Sequence, residues 1–227
     1  ACGMSTGMAD YEEAAARRKK ELFQSLLSSM PAADATIVEV GMGSFPNAPF
    51  FAMKGAPKAM DIIGVDPNDK MAGYAQENAR RVGLLKGAKE FGDVTNTAVP
   101  GGNSVRIVHG VSEALPFADD SCDAVVCTLT LCSVLDPARS VAEIKRVLKP
   151  GGKFLFWEHV LSETNPLLAR QQIALTPAQV KRADGCHLDR RTGETIKAAG
   201  FSAADVGYLE LKGFGFLNPT VAGVATK

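Results

Sequence analysis

Thr36-Ile37-Val38-Glu39-Val40-Gly41-Met42-Gly43 is a short apolar run that stops at a Gly-x-Gly turn; about twenty residues later Ile62-Ile63-Gly64-Val65-Asp66 repeats the design with an acid at its tip. Glycines let backbone N–H groups approach a ligand closely. An acid ending the neighbouring parallel strand accepts both hydroxyls of a ribose. Together the two stretches predict an open α/β sheet with a nucleoside-bearing cofactor at adjacent strand tips.

A dinucleotide loop requires Gly-x-Gly-x-x-Gly, but here the loop runs Gly43-Ser44-Phe45-Pro46-Asn47, with no glycine at Pro46 and no Walker lysine. Glu39, two residues before the first glycine, is unsuited to a pyrophosphate and suited to a cation. S-adenosylmethionine has a sulfonium, an ammonium and a ribose. The residues therefore read as a methyl-donor site, with Glu39 near the amino-acid end and Asp66 on the ribose. Simpler readings exist for each taken singly: Gly-x-Gly is common turn material, and Asp66-Pro67-Asn68 also reads as a helix start with Asn68 as N-cap.

The 227 residues, 46% hydrophobic, suit one α/β domain, and 25 Lys plus Arg balance 25 Asp plus Glu. With no basic stripe interleaved with aromatics, sustained binding to a nucleic-acid backbone has no electrostatic support. No apolar stretch approaches the roughly 20 residues of a membrane span. The start Ala1-Cys2-Gly3-Met4 reads as a processed or trimmed product. Cys122, Cys127 and Cys132 are equally spaced, yet on one strand Cys127 faces away from both others, and Cys122 and Cys132 would stand about 33 Å apart. The expectation is small buried hydrophobes rather than a metal cluster. Their odd total with Cys2 and Cys186 favours a reducing compartment.

Tyr11 to Met30 reads as a helix with a stripe of Leu22, Phe23, Leu26, Leu27 and Met30, ended by Pro31; Arg17-Arg18-Lys19-Lys20 reads as a solvated face, with contact to anionic lipid as a second reading. Strands are expected at Thr36–Val40, Asp61–Val65, Ser104–His109, Cys122–Leu129 and Lys153–Glu158, with four helices filling the gaps. One helix opens near Asn68 and carries Met71, Tyr74 and Ala75. Another is capped by Asp136, starts at Pro137 and stops at Pro150-Gly151-Gly152. A short helix over Arg191–Ala199, closed by Gly200, precedes two strands, Ala203–Leu211 and Phe216–Ala225. The fold class is thus a Rossmann-like, seven-stranded, mostly parallel sheet with one antiparallel strand and helices on both faces. Ligands bind such sheets at the carboxyl ends of the strands.

Glu39-Val40-Gly41-Met42-Gly43, Gly64-Val65-Asp66, Glu113-Ala114-Leu115-Pro116-Phe117 and Arg146-Val147-Leu148-Lys149-Pro150-Gly151-Gly152 resemble the signature segments of class I S-adenosylmethionine-dependent methyltransferases. Within that class, Arg18-Lys19-Lys20-Glu21-Leu22-Phe23, the Val126 to Val134 segment, Phe156-Trp157-Glu158-His159-Val160 and Asp184-Gly185-Cys186 resemble the methyltransferase-like-seven group, whose animal members are membrane-associated alkyl thiol methyltransferases. The resemblance implies methyl transfer to a small thiol. Gly41, Met42 and Gly43 would pass the methionine portion with Thr128 beside it. Asp66 and Pro67 would hold the ribose end, Met71 would cover the adenine, and Val111, Ser112 and Glu113 would border it. It also implies an acceptor pocket built from residues 1–34 as a cap over a 35–227 core, with the segment Leu161 to Leu188 contributing.

The sequence departs from the family pattern at Phe45, where a third loop glycine is usual, and at Val111, where an acid is often found; the animal proteins' hydrophobic anchor is absent. The resemblance to plastid-targeted members leaves cytoplasm or plastid as the expected location. His159, ending strand five, is the leading proton acceptor, with Asp184 and His187 in the acceptor pocket. Competing readings are carbon or oxygen methylation of a quinone-like ring, arsenite methylation, and a non-catalytic scaffold that keeps the fold.

Overall fold

The computed structural model describes residues 2–85 and 102–227. In β1 (Thr36–Val40) and β4 (Cys122–Thr128), alternate residues go to opposite faces, and both faces are covered. Ile37, Ala124 and Val126 join one core with α1 (Cys2–Ser28), α2 (Ala48–Phe51) and α3 (Met71–Arg81). Val38, Val40, Val125 and Cys127 join a second with α4 (Pro137–Val147) and α6 (Thr192–Ala198). Burial on both sides is why these strands read as unbroken apolar runs.

The sheet order is β3-β2-β1-β4-β5-β7-β6, with β2 at Asp61–Asp66, β3 at Ser104–His109, β5 at Leu148–His159, β6 at Ala203–Leu209 and β7 at Thr220–Thr226. Among the described strands, β7 runs against the direction of the rest and pairs antiparallel with both β5 and β6. Chain order reverses between β1 and β4, so the crevice beyond their carboxyl ends is where a ligand is expected.

Several expectations on the elements are corrected. β5 begins at Leu148 rather than Lys153, because Pro150-Gly151-Gly152 forms an irregularity inside the β4–β5 pairing instead of a gap before it. Phe216–Pro219 is not strand: a 3₁₀ turn at Gly215–Leu217 and the Asn218 side chain, accepting from Leu211 N at 2.8 Å, occupy it. Tyr74 faces solvent, and α3 packs through Ala72, Ala75 and Ala79. The α3 N-cap is Lys70; Asn68 instead accepts from the Lys70 N–H at 3.2 Å. No helix separates β3 from β4, while α5 (Pro166–Arg182) stands where only an apolar segment was read.

Lys19 overturns the solvated-face reading. It is 1% exposed, 2.7 Å from Glu12 Oε2 and over the Phe50 ring, while Arg17 and Arg18 remain in solvent and pair with Glu21. The buried stripe of α1 runs Tyr11, Ala15, Lys19, Phe23, Leu26 and Leu27, so Lys19 takes a core position with Glu12 as its ion-pair partner.

Candidate active site

Gly41 and Gly43 adopt left-handed φ of 66° and 53°. A Cβ on Gly41 would clash with the Thr130 side chain, so both conformation and space demand glycine there. The loop is tied to β2: Gly41 N donates to Val65 O at 2.8 Å and Gly43 N to Asp66 Oδ2 at 2.9 Å. Asp66 Oδ1 accepts from Asn68 N at 2.8 Å. The carboxylate thus faces the loop with a lone pair left on each oxygen. Phe45 also has a positive φ, 61°, which accounts for the usual glycine at that position. Its ring does not plug the crevice; it turns into the core against Phe51, centroids 5.6 Å apart.

Glu39 is buried. Its Oε1 accepts from Asn47 Nδ2 at 2.9 Å, and the same nitrogen donates to Thr128 Oγ1 at 3.0 Å. Glu39 Oε2 and Asn47 Oδ1 have no partner, two acceptors of the kind an ammonium satisfies. Burial raises the Glu39 pKa to about 8, against the Asn47 hydrogen bond and the nearby Lys19 charge. Asn47 went unread in the sequence; an amide six residues past the first glycine carries no distinctive signal. Met42 contributes only backbone, since its side chain is fully buried against Gly64.

A cleft of about 470 Å³ opens beside the loop, lined by Gly41, Pro67, Val111, Ser112 and Glu113 among others. Val111 is 47% exposed there, an apolar face on the cleft wall. Burial acts to raise the Glu113 pKa, but the N–H groups of Asp136 and Leu135, at 3.1 and 2.7 Å, outweigh it and hold the carboxylate below its ordinary value. Arg139 Nε, donating to Glu113 O at 2.9 Å, completes that wall. Met71 does not line the cleft, and His109 is exposed beside Asp69.

The β4 exit is built by Glu158. Its Oε1 accepts from Thr130 N and Leu131 N at 3.0 and 3.1 Å, while Leu129, at φ 53°, turns the chain sharply. This turn carries Cys132 off the strand line. The expectation of small buried hydrophobes holds for Cys122 and Cys127, both in the core, while Cys132, also buried, meets Cys186 and His159 rather than either of them. The strand ends at Thr128, so spacing along it does not govern Cys132.

His159 Nε2 lies 3.1 Å from Cys186 Sγ, and Nδ1 is buried without a partner. The Cys132 S–H, then His159, hold the Cys186 thiol well below its ordinary value despite burial, and Cys132 is pushed up in turn. These groups floor a second chamber of about 860 Å³, walled by Tyr11, Leu129, Phe214, Phe216 and Leu217. Ser133 and Asp184 line both cavities, which therefore adjoin. His187 lies outside the chamber lining, 3.5 Å from Asp189. Tyr11 OH accepts from Trp157 Nε1 at 3.0 Å and contacts Thr220 Oγ1 at 3.2 Å, fixing α1 as a wall.

A reversed-order parallel sheet, a glycine turn and an acid facing it define a class I S-adenosylmethionine-dependent methyltransferase, and the chain belongs to that family: the Methyltransferase domain profile matches residues 38–156. Thiol S-methyltransferase TMT1A of Homo sapiens is 31% identical over 220 residues, 96% of this chain and 81% of its own. Thiol S-methyltransferase TMT1B of Rattus norvegicus is 33% identical, across 82% of this chain and 68% of its own. A Bacillus halodurans protein of known structure, 15% identical, superposes with a TM-score of 0.65 over 92% of this chain and 98% of its own, a likeness of fold alone. Among the described residues no helix is long and apolar enough to cross a membrane.

Proposed function

We propose that this chain methylates the sulfur of a small apolar thiol. The observation that carries the reading is the mostly apolar chamber that adjoins the cofactor cleft at Ser133 and Asp184 and ends on Cys132, His159 and Cys186. Its apolar walls suit an alkyl or aryl group, and the buried Cys132, His159 and Cys186 are where a sulfur would arrive. The similarity to thiol S-methyltransferases supports the same acceptor.

S-adenosylmethionine, when bound, supplies a methyl group on a sulfonium that becomes a neutral thioether on transfer. The free lone pairs of Asp66 accept the ribose hydroxyls, and Glu39 with Asn47 takes the ammonium. Pro67 and Val111 face the adenine, and Ser112 and Glu113 border its edge. Thr128 lies beside the methionine portion. Positioning supplies most of the acceleration, because fixing sulfur and methyl in line removes translational freedom. A thiol with a pKa of about 8.5 is already a few per cent ionised at neutral pH. His159 sits where it takes the thiol proton, Asp184 stands at the junction of the two cavities, and His187 lies outside the chamber lining. In this reading residues 1–34 cap the acceptor site over the 35–227 core, and working free thiols require a reducing compartment, cytoplasm or plastid.

The test is methyl transfer from labelled S-adenosylmethionine to an alkyl thiol and, separately, to a reduced quinone. Formation of the methyl thioether is expected; turnover of the quinone alone overturns the thiol reading. Calorimetry with S-adenosylhomocysteine showing no binding up to millimolar ligand would instead make the chain a scaffold.

A further inference from the structure

We propose that Cys132, His159 and Cys186 form a Cys₂His site for a borderline-soft divalent cation, zinc by its ligand set, whose fourth position opens into the acceptor chamber and takes the substrate sulfur. The last clause rests on the thiol reading above; the metal site itself does not.

The donor atoms, two Sγ and one Nε2, all lie within 4.8 Å of one another. Tetrahedral zinc, with Zn–S of about 2.3 Å and Zn–N of about 2.0 Å, sets its ligands roughly 3.5–3.8 Å apart. Small side-chain adjustments reach that geometry. The three ligands stand on separately fixed backbone. Cys132 follows the turn clamped by Glu158, and its carbonyl accepts from His187 N at 2.8 Å. His159 ends β5, paired with Thr220 of β7. Cys186 sits in the turn closing α5, its N–H donating to Ala183 O at 2.9 Å. Such rigidity is what a metal site needs from its scaffold.

The donor set chooses the ion. Two thiolates exclude magnesium and calcium, which want oxygen, and the imidazole suits zinc better than a purely thiophilic centre such as trivalent arsenic. Three protein ligands with one open position is the arrangement of a catalytic zinc rather than a structural one. All three ligands line the chamber, so the open position faces it.

The chemistry balances without any redox partner. An incoming R–SH coordinates through sulfur and its proton leaves to solvent, since a coordinating thiol ionises outright. The bound sulfur then forms an S–CH₃ bond while the donor's S⁺–CH₃ bond breaks, its electron pair staying on the donor sulfur. The product is a neutral thioether, a poorer ligand than a thiolate, and departs.

The experiment uses the full chain purified under reducing conditions. Elemental analysis should find about one zinc per chain, and exchange for cobalt should give sulfur-to-cobalt charge-transfer absorption with the visible bands of a tetrahedral site. Cys132→Ser and Cys186→Ser should each lose those bands while binding S-adenosylhomocysteine within about twofold of the parent, which shows that the fold survives. Addition of an alkyl thiol without methyl donor should shift the visible bands. Substoichiometric metal with no cobalt spectrum, a Cys132–Cys186 disulfide persisting in reductant, or a spectrum unchanged in both serine variants overturns the site. A cobalt spectrum indifferent to thiol, in a protein that still methylates it, overturns the coordination step and leaves the thiol reading standing. A metal site in a protein that methylates no thiol keeps the site and sinks that reading.

Discussion

Phe45 shows how one position serves two masters. Its φ of 61° is where glycine costs nothing and a side chain is strained by about 1–2 kcal/mol, yet its ring is fully buried against Phe51. Loss of a buried phenylalanine costs about 3–5 kcal/mol, so packing outweighs strain. Phe45→Gly should therefore destabilise the chain by about 2 kcal/mol in urea unfolding while leaving S-adenosylhomocysteine affinity nearly unchanged. An affinity loss above tenfold would mean that the ring shapes the loop from below. Lys19 is a comparable case in α1. Lys19→Met keeps the volume but leaves Glu12, 22% exposed, without its cation, and should lower stability by about 2 kcal/mol. Phe45 was read only as a departure from the family pattern and Lys19 as part of a solvated face, because a residue type states a preference and burial is decided by neighbours. The signal for Lys19 was present: stepping the α1 stripe back from Phe23 by four lands on Lys19, Ala15 and Tyr11.

At the scale of elements, β1 to β4 and α4 were legible because each buries apolar side chains at the period of its own backbone. The Asp136 cap is observed as read, accepting from Arg139 N at 3.0 Å. α5 was illegible for a physical reason: its fully buried residues are Gln172 and Thr176, so no apolar stripe marks its inner face. It is held by hydrogen bonds instead. Gln172 Oε1 accepts from Ser162 N at 2.8 Å, and Nε2 reaches the carbonyls of Val160, Phe216 and Asn218 at 2.9–3.0 Å. Gln172→Leu strands these groups in a dry interior and should cost about 3 kcal/mol, measured by thermal unfolding. It should also raise the KM for an acceptor more than it lowers affinity for S-adenosylhomocysteine, because α5 carries Gln179 and leads into Asp184 and Cys186 at the chamber. An unchanged KM in a destabilised protein would separate α5 from acceptor binding.

For the whole molecule, the buried carboxyl of Glu39 links stability to pH. Its folded pKa, about 8, lies above the ordinary value of 4.5, so between these the folded state holds a proton that the unfolded state lacks. Stability from this group is full below 4.5 and declines as pH rises toward 8. Cys186, held low by Cys132 and His159, contributes with the opposite slope, so the comparison must be with Glu39→Gln, which leaves that pair intact. The variant should gain stability relative to the parent as pH rises from 5 to 8, read from denaturant midpoints. It should also bind S-adenosylhomocysteine at least about tenfold more weakly, having lost the carboxylate that meets an ammonium. In the parent that binding should release protons at pH 7, seen as buffer-dependent calorimetric enthalpy; no buffer dependence would remove Glu39 from the amino-acid end.

The strand segments, both glycines, the facing acid and the class of cofactor followed from residue order alone, because periodicity and turn chemistry act over a few neighbours. The meeting of Cys132, Cys186 and His159 and the seating of α5 through Gln172 were decided only in three dimensions. Each depends on where a chain leaves its strand or on a polar partner far away in sequence, and neither quantity has a local period to betray it.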